Sequence, residues 1–112
     1  MKEHIDQFIY FMTVERGVSK NTIQAYRRDL LKLASYFEKL KIKLNSAKRE
    51  TIVDFMMSLK DKGLGDNSIS RNLAAIKTFW KFLVAERVTE DNVASLVETP
   101  RVWKNIPEVL NK

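Results

Sequence analysis

The sequence contains no cysteine and a single histidine, His4, among its 112 residues. A chain without cysteine can form neither disulfides nor thiolate metal sites. One histidine without neighbouring ligands at metal-binding spacing does not make a metal centre either. With only three glycines, the chain also has no glycine-rich loop that could cradle a phosphate group. We therefore expect neither a metal nor a cofactor.

Glycine and proline are scarce, and both prolines, Pro100 and Pro107, fall close to the end of the sequence. These residue types normally separate short strands, and no segment alternates apolar and polar residues long enough to indicate a strand. The composition therefore predicts an all-α fold. It also predicts one domain over residues 1–97, followed by a linker over residues 98–112.

No apolar run approaches the roughly 20 residues that cross a bilayer. The N-terminal sequence MKEHIDQF carries acidic residues and lacks the uninterrupted apolar core of a secretory signal. We expect a soluble protein of the cytoplasm that does not associate with membranes.

Apolar residues at intervals of three and four indicate four main helices and a possible short fifth one. The expected ranges are about Glu3–Glu15, Lys20–Leu40, Lys48–Lys62 and Ser68–Arg87, with the fifth at about Thr89–Leu96. Gly17 and Gly63 can end the first and third helices in a left-handed conformation. The candidate N-caps are Ser19 or Asn21 for the second helix, and Asp66 or Asn67 for the fourth.

The excess of positive charge is confined to two parts of the chain. The whole sequence carries a net charge of +6. Residues 19–43 contribute 7 basic and 2 acidic side chains, and residues 67–87 contribute 4 and 1. These segments contain the second and fourth predicted helices, so a polyanionic partner would meet those helices first.

Each of the two helices places polar and basic residues opposite its apolar stripe. On the second helix these are Gln24, Arg28, Lys32 and Ser35; on the fourth they are Arg71, Ala74 or Ala75, Thr78 and Lys81. Such surfaces also occur on ordinary solvated helices, because Lys and Arg favour helix formation. Two basic faces, each entered through Ser, Thr or Asn, favour nucleic acid, because helix N-termini and these side chains donate to phosphate oxygens.

The same stretches resemble a known family. GVSKNTIQAYRRDL is similar to the start of the second helix in the core-binding domain of tyrosine recombinases, the phage-integrase family of the Xer type. SISRNLAAIKTFWKFLVAE resembles the fourth helix of that domain, and VASLVETPRVWKNIPEVLNK resembles the linker to the catalytic domain. The resemblance implies a SAM-like bundle of four helices in two crossed hairpins, which forms half of a clamp around duplex DNA.

The resemblance also implies which residues contact the major groove of a recombination half-site. They are Asn21, Thr22, Gln24, Arg28, Asn67, Ser68, Ser70 and Arg71, with weaker contacts from Lys77 and Lys81. Other recombinase protomers would contact the first helix and the short fifth helix in a synaptic complex, whereas the isolated domain would be a monomer. We expect Arg71→Ala to weaken DNA binding without unfolding the domain, and Leu73→Ala to be destabilising.

The catalytic residues of that family have no counterpart in the sequence. Its reaction uses a tyrosine nucleophile together with cationic groups that stabilise the transition state. Tyr10, Tyr26 and Tyr36 all lie within predicted helices and suit packing better than catalysis. We therefore expect a non-catalytic domain, excised from a longer recombinase, that binds DNA without cutting it.

Two other functions fit the sequence. The chain could be a helical protein-interaction module, with Phe11, Trp103 or the Met56–Met57 pair on its surface. It could also be a transcriptional DNA-binding protein, with a helix-turn-helix around residues 64–68. Salt-dependent binding to DNA is expected of a recombinase domain but not of a protein-interaction module. Weak DNA affinity of the isolated domain is expected of a recombinase domain, which is half of a clamp, but not of a transcriptional DNA-binding protein.

Overall fold

The computed structural model describes residues 1–98 as an all-α structure. Its helices are α1 (Lys2–Val14), α2 (Lys20–Leu40), a one-turn 3-10 helix (Leu44–Ser46), α3 (Arg49–Asp61) and α4 (Asp66–Ala85). The described residues contain no strand, which confirms the predicted fold class. The predicted range of α2 is correct, and the ends of the other three main helices differ from the expected ones by one or two residues.

The helices pack as two hairpins, α1 against α2 and α3 against α4. The hairpins meet because α4 also contacts α2 and α1. Aromatic rings fill the junction: Phe8 of α1 lies 5.4 Å from Phe79 of α4, and Phe37 of α2 lies 6.2 Å from Trp80. Burial of such rings contributes strongly to stability. Helix α4 is therefore the central element, and the rest of residues 1–98 leaves only one strip of its surface uncovered.

Local sequence signals set most of the helix ends. The Ser19 side chain accepts a hydrogen bond from the Thr22 backbone N–H at 3.3 Å, so Ser19 is the N-cap of α2 as predicted. Gly63 adopts a φ of +92° directly after α3. The Leu64 N–H then reaches the Leu59 carbonyl at 3.1 Å, which closes the helix in a Schellman motif.

Two expectations about helix ends were wrong. Gly65 is the N-cap of α4, so Asp66 and Asn67 lie inside the first turn. An acidic residue in the first turn is favourable because it faces the positive end of the helix dipole. The predicted fifth helix is also absent, because residues 93–96 form a turn.

The turn after α4 is set by Asn92. Its side-chain Oδ1 accepts a hydrogen bond from the Ala94 backbone N–H at 3.1 Å, and this local bond competes with helix formation. Ala94 and Val97 nevertheless pack into the core, with exposures of 0% and 2%. This segment is therefore part of the domain. The predicted linker, apart from Glu98, lies outside the described residues, as does Trp103.

None of the helices within residues 1–98 has the length and apolar character needed to cross a membrane. The same residues contain no cluster of three or more His, Asp or Glu side chains that could hold a metal ion. His4 is half-buried in α1 and lies in no such group.

Candidate nucleic-acid interface

Helix α2 separates apolar and polar side chains as its sequence predicts. Ile23, Leu30, Leu33 and Phe37 are buried on one side. The polar side, here called the α2 face, consists of Asn21, Gln24, Arg28, Lys32 and Ser35. All of these are exposed except Lys32, which is half-buried. Members of the α2 face also line a shallow groove on the helix surface, together with Arg27 and Leu31. A phosphate backbone could therefore approach α2 along this side without meeting a carboxylate of the groove lining.

Helix α4 presents one narrow uncovered strip, here called the α4 face. Its members are Asn67, Ser70, Arg71, Ala74, Lys77, Thr78 and Lys81, and none of them is buried. Ala74 is exposed whereas Ala75 is fully buried, so Ala74 belongs to this strip. Small side chains between cations would allow a partner to approach the backbone of the helix closely.

Ser68 and Thr22, two further predicted contacts, are half-buried near the helix starts. The Thr22 hydroxyl accepts a hydrogen bond from the Ser19 hydroxyl at 3.0 Å. Ser68 provides a backbone carbonyl that accepts from the Asn72 side-chain amide at 2.8 Å. Thr22 therefore takes part in the N-terminal cap of α2 as well as lying near the α2 face.

An ion pair joins the two helices that carry the faces. The Arg71 Nε donates to Asp29 Oδ2 at 2.8 Å, and its Nη2 donates to Asp29 Oδ1 at 3.1 Å. The Asp29 side chain is fully buried, whereas the Arg71 side chain is 40% exposed. Hydrogen bonding to Asp29 raises the pKa of the Arg71 guanidinium, partial burial lowers it, and the negative charge of Asp29 raises it further. The pair fixes one point of the α4 face relative to α2.

Asp29 was not predicted from the sequence to be a functional or structural residue. A signal was present, because Asp29 follows Tyr26 by three residues and precedes Leu33 by four, which places it beside the apolar stripe of α2. A carboxylate at such a position needs a charged or hydrogen-bonding partner. Asn72, the other buried polar residue among residues 1–98, was also not predicted, and its side-chain Oδ1 has no hydrogen-bond partner within that range.

A second groove extends the basic surface from α2 towards α3. Lys32, Lys39 and Lys62 line it together with Tyr36 and Phe55, whose rings lie 5.2 Å apart. Burial raises the pKa of Tyr36, and the nearby Asp54 raises it further. The Tyr36 phenol therefore stays protonated at neutral pH, which agrees with a packing role.

A groove between α1 and α4 has the opposite charge. Its charged side chains are Asp6, Glu15 and Glu86, and Tyr10 beside them is 67% exposed. Its apolar part includes Phe11, which packs against Phe82 at 5.3 Å. Phosphate groups would be repelled here, so this groove suits a protein partner better than DNA.

Comparisons with known proteins agree with the all-α fold. Residues 5–87 match the family described as phage integrase, N-terminal SAM-like domain. This match includes all four main helices except the first three residues of α1. The α2 and α4 faces both lie inside it.

Several relatives are named tyrosine recombinase XerD. The protein from Halalkalibacterium halodurans is 37% identical over 98% of this chain and 38% of its own length. The protein from Staphylococcus haemolyticus is 37% identical over 99% of this chain and 38% of its own length. The protein from Listeria monocytogenes is 34% identical over 99% of this chain and 38% of its own length. The chain thus spans little more than a third of these relatives.

Proposed function

The chain belongs to the phage integrase family as an N-terminal SAM-like domain, and on that basis we propose that it is the DNA-binding part of a site-specific tyrosine recombinase. Its α2 and α4 faces would lie in or beside the major groove of a recombination half-site. The domain would form one half of a clamp around the duplex. In the parent protein it would serve DNA integration and recombination together with other recombinase protomers.

The observation that carries this proposal is the pairing of two basic faces on helices that contact each other. Cations account for the sequence-independent part of DNA affinity, because each phosphate that they neutralise releases counterions. Arg28 and Gln24 of the α2 face are exposed, and so is Lys81 of the α4 face. Arg, Asn and Gln can also read base edges in the major groove, so both faces have groups for recognition as well as for affinity.

Strand cleavage would require residues from the rest of the parent recombinase. Tyr26 stacks on Phe8 with ring centroids 6.5 Å apart, and Tyr36 packs on Phe55. Tyr10 is exposed, but it lines the acidic groove, where a DNA phosphate would be repelled. We propose that residues 1–97 form the binding domain and that residues 98–112 connect it to a catalytic domain that supplies the nucleophile.

The binding test is the affinity for a fluorescently labelled duplex, measured by anisotropy over a range of salt concentrations. We expect the affinity to fall by more than about tenfold between about 50 and 200 mM salt. Arg28→Gln should lower the slope of log affinity against log salt by about 0.9, the value for one phosphate contact. Arg49→Gln, at the start of α3 and outside both faces, is the matched control and should leave the slope unchanged.

Absence of duplex binding even at low salt would contradict the proposal. It would favour the protein-interaction module, for which the acidic groove with exposed Tyr10 is the candidate surface. Equal loss of slope in the Arg28 and Arg49 variants would show that binding depends on total charge rather than on the α2 face.

A further inference from the structure

The Asp29–Arg71 pair lies within the proposed DNA-binding surface, yet half of it is a buried carboxylate. Arg71 belongs to the α4 face, and Asp29 immediately follows Arg28 of the α2 face. Among the described residues, Arg28 has no ion-pair partner, whereas Arg71 makes two hydrogen bonds to Asp29. The two arginines therefore present different charge to an approaching phosphate.

An arginine in a two-point bond with a buried carboxylate contributes little net charge to its surroundings. Asp29 is fully buried, so water does not screen its charge from Arg71 as it would at the surface. The pair is close to neutral as seen from outside. Arg71 can still donate hydrogen bonds, because its remaining N–H groups are not used by Asp29 and its side chain is 40% exposed.

We infer that Asp29 is a positioning and specificity-determining residue that withholds the charge of Arg71 from the DNA backbone. Arg71 would then act as an oriented hydrogen-bond donor in the second turn of α4 rather than as a phosphate anchor. This inference rests on the proposed function. Asp29 would thereby lower the contribution of Arg71 to sequence-independent DNA affinity and hold its guanidinium in one orientation.

A general physical reason supports such an arrangement. An arginine whose charge is free binds any phosphate. An arginine held by a carboxylate instead favours an acceptor that lies in the direction of its free N–H groups. Two bonds from Nε and Nη2 fix the plane of the guanidinium. The Arg71 side chain is therefore already ordered before a partner binds, so binding does not carry the entropic cost of ordering it.

The test compares salt slopes for a random-sequence duplex. Asp29→Asn keeps the shape of the side chain and removes its charge, so we expect the slope to become steeper by about 0.9 and affinity at low salt to rise. The double variant Asp29→Asn/Arg71→Gln has the same net charge as the original chain. It should keep the original slope, because the intact pair contributes no free cation.

Circular dichroism of each variant shows whether it is folded, and the double variant keeps the test valid should Asp29→Asn alone unfold. An unchanged slope in folded Asp29→Asn, or a slope reduced by about 0.9 in the double variant, would overturn the inference, since Arg71 would then be an ordinary phosphate contact. Failure of the original chain to bind any duplex would instead reject the proposed function, and the inference with it.

Discussion

Replacing Arg71 with alanine is expected to lower the free energy of unfolding by about 3 kcal/mol, because it leaves the carboxylate of Asp29 buried without a partner. In the intact pair Asp29 has no exposed side-chain surface, and the substitution removes both of its hydrogen bonds to a charged donor. This changes the expectation drawn from the sequence, in which Arg71→Ala only weakened DNA binding. Urea denaturation followed by circular dichroism measures the effect.

Two further variants distinguish the cause. Lys81→Ala removes an exposed cation from the same face of α4 and should change stability by less than about 0.5 kcal/mol. Asp29→Asn/Arg71→Gln removes both charges and should recover most of the loss, since no charge then stays buried and unpaired. An Arg71→Ala variant as stable as Lys81→Ala would mean that the pair contributes nothing to the fold.

Replacing Leu73 with alanine is expected to cost about 2–5 kcal/mol, the usual range for a leucine truncated in a packed core. Leu73 is 2% exposed in the middle of α4, the helix that contacts each of the other three main helices. A cavity at this position would weaken both hairpins at once. The measurement is again the urea midpoint, with the slope of the transition checked for two-state behaviour.

Leu31→Ala is the matched control, because it removes the same atoms from a leucine of α2 that is 36% exposed. It should cost less than about 1 kcal/mol, since the side chain already contacts water. Equal losses at the two positions would contradict the assignment of the buried side of α4.

The sequence predicted the fold well where a single pattern dominated. The apolar spacing in α2 predicted its range, and Ser19, one of the two candidate N-caps, is the cap in the structure. The structure of the segment after α4 was harder to predict. Residues 89–96 have helical spacing, but the side chain of Asn92 bonds to the backbone two residues later and a turn forms instead. A local hydrogen bond of this kind does not appear in a hydrophobic pattern.

The candidate site was predictable as two faces but not as a connected unit. Spacing alone places Arg28 and Arg71 on the polar sides of their helices. It does not reveal that Arg71 reaches across to α2, because that contact joins residues 42 positions apart. The charge that each arginine presents to a partner therefore depends on tertiary structure. The sequence alone predicted the same role for both arginines.

The most direct test of the central claim is a nuclear magnetic resonance titration of the chain with duplex DNA, following the backbone amides of residues 1–98. If α2 and α4 together form the DNA-binding surface, the largest shifts will fall on both the α2 face and the α4 face, around Gln24, Arg28, Ser70 and Lys77. Shifts concentrated on α1 and the acidic groove around Tyr10, with both faces unchanged, would contradict the account.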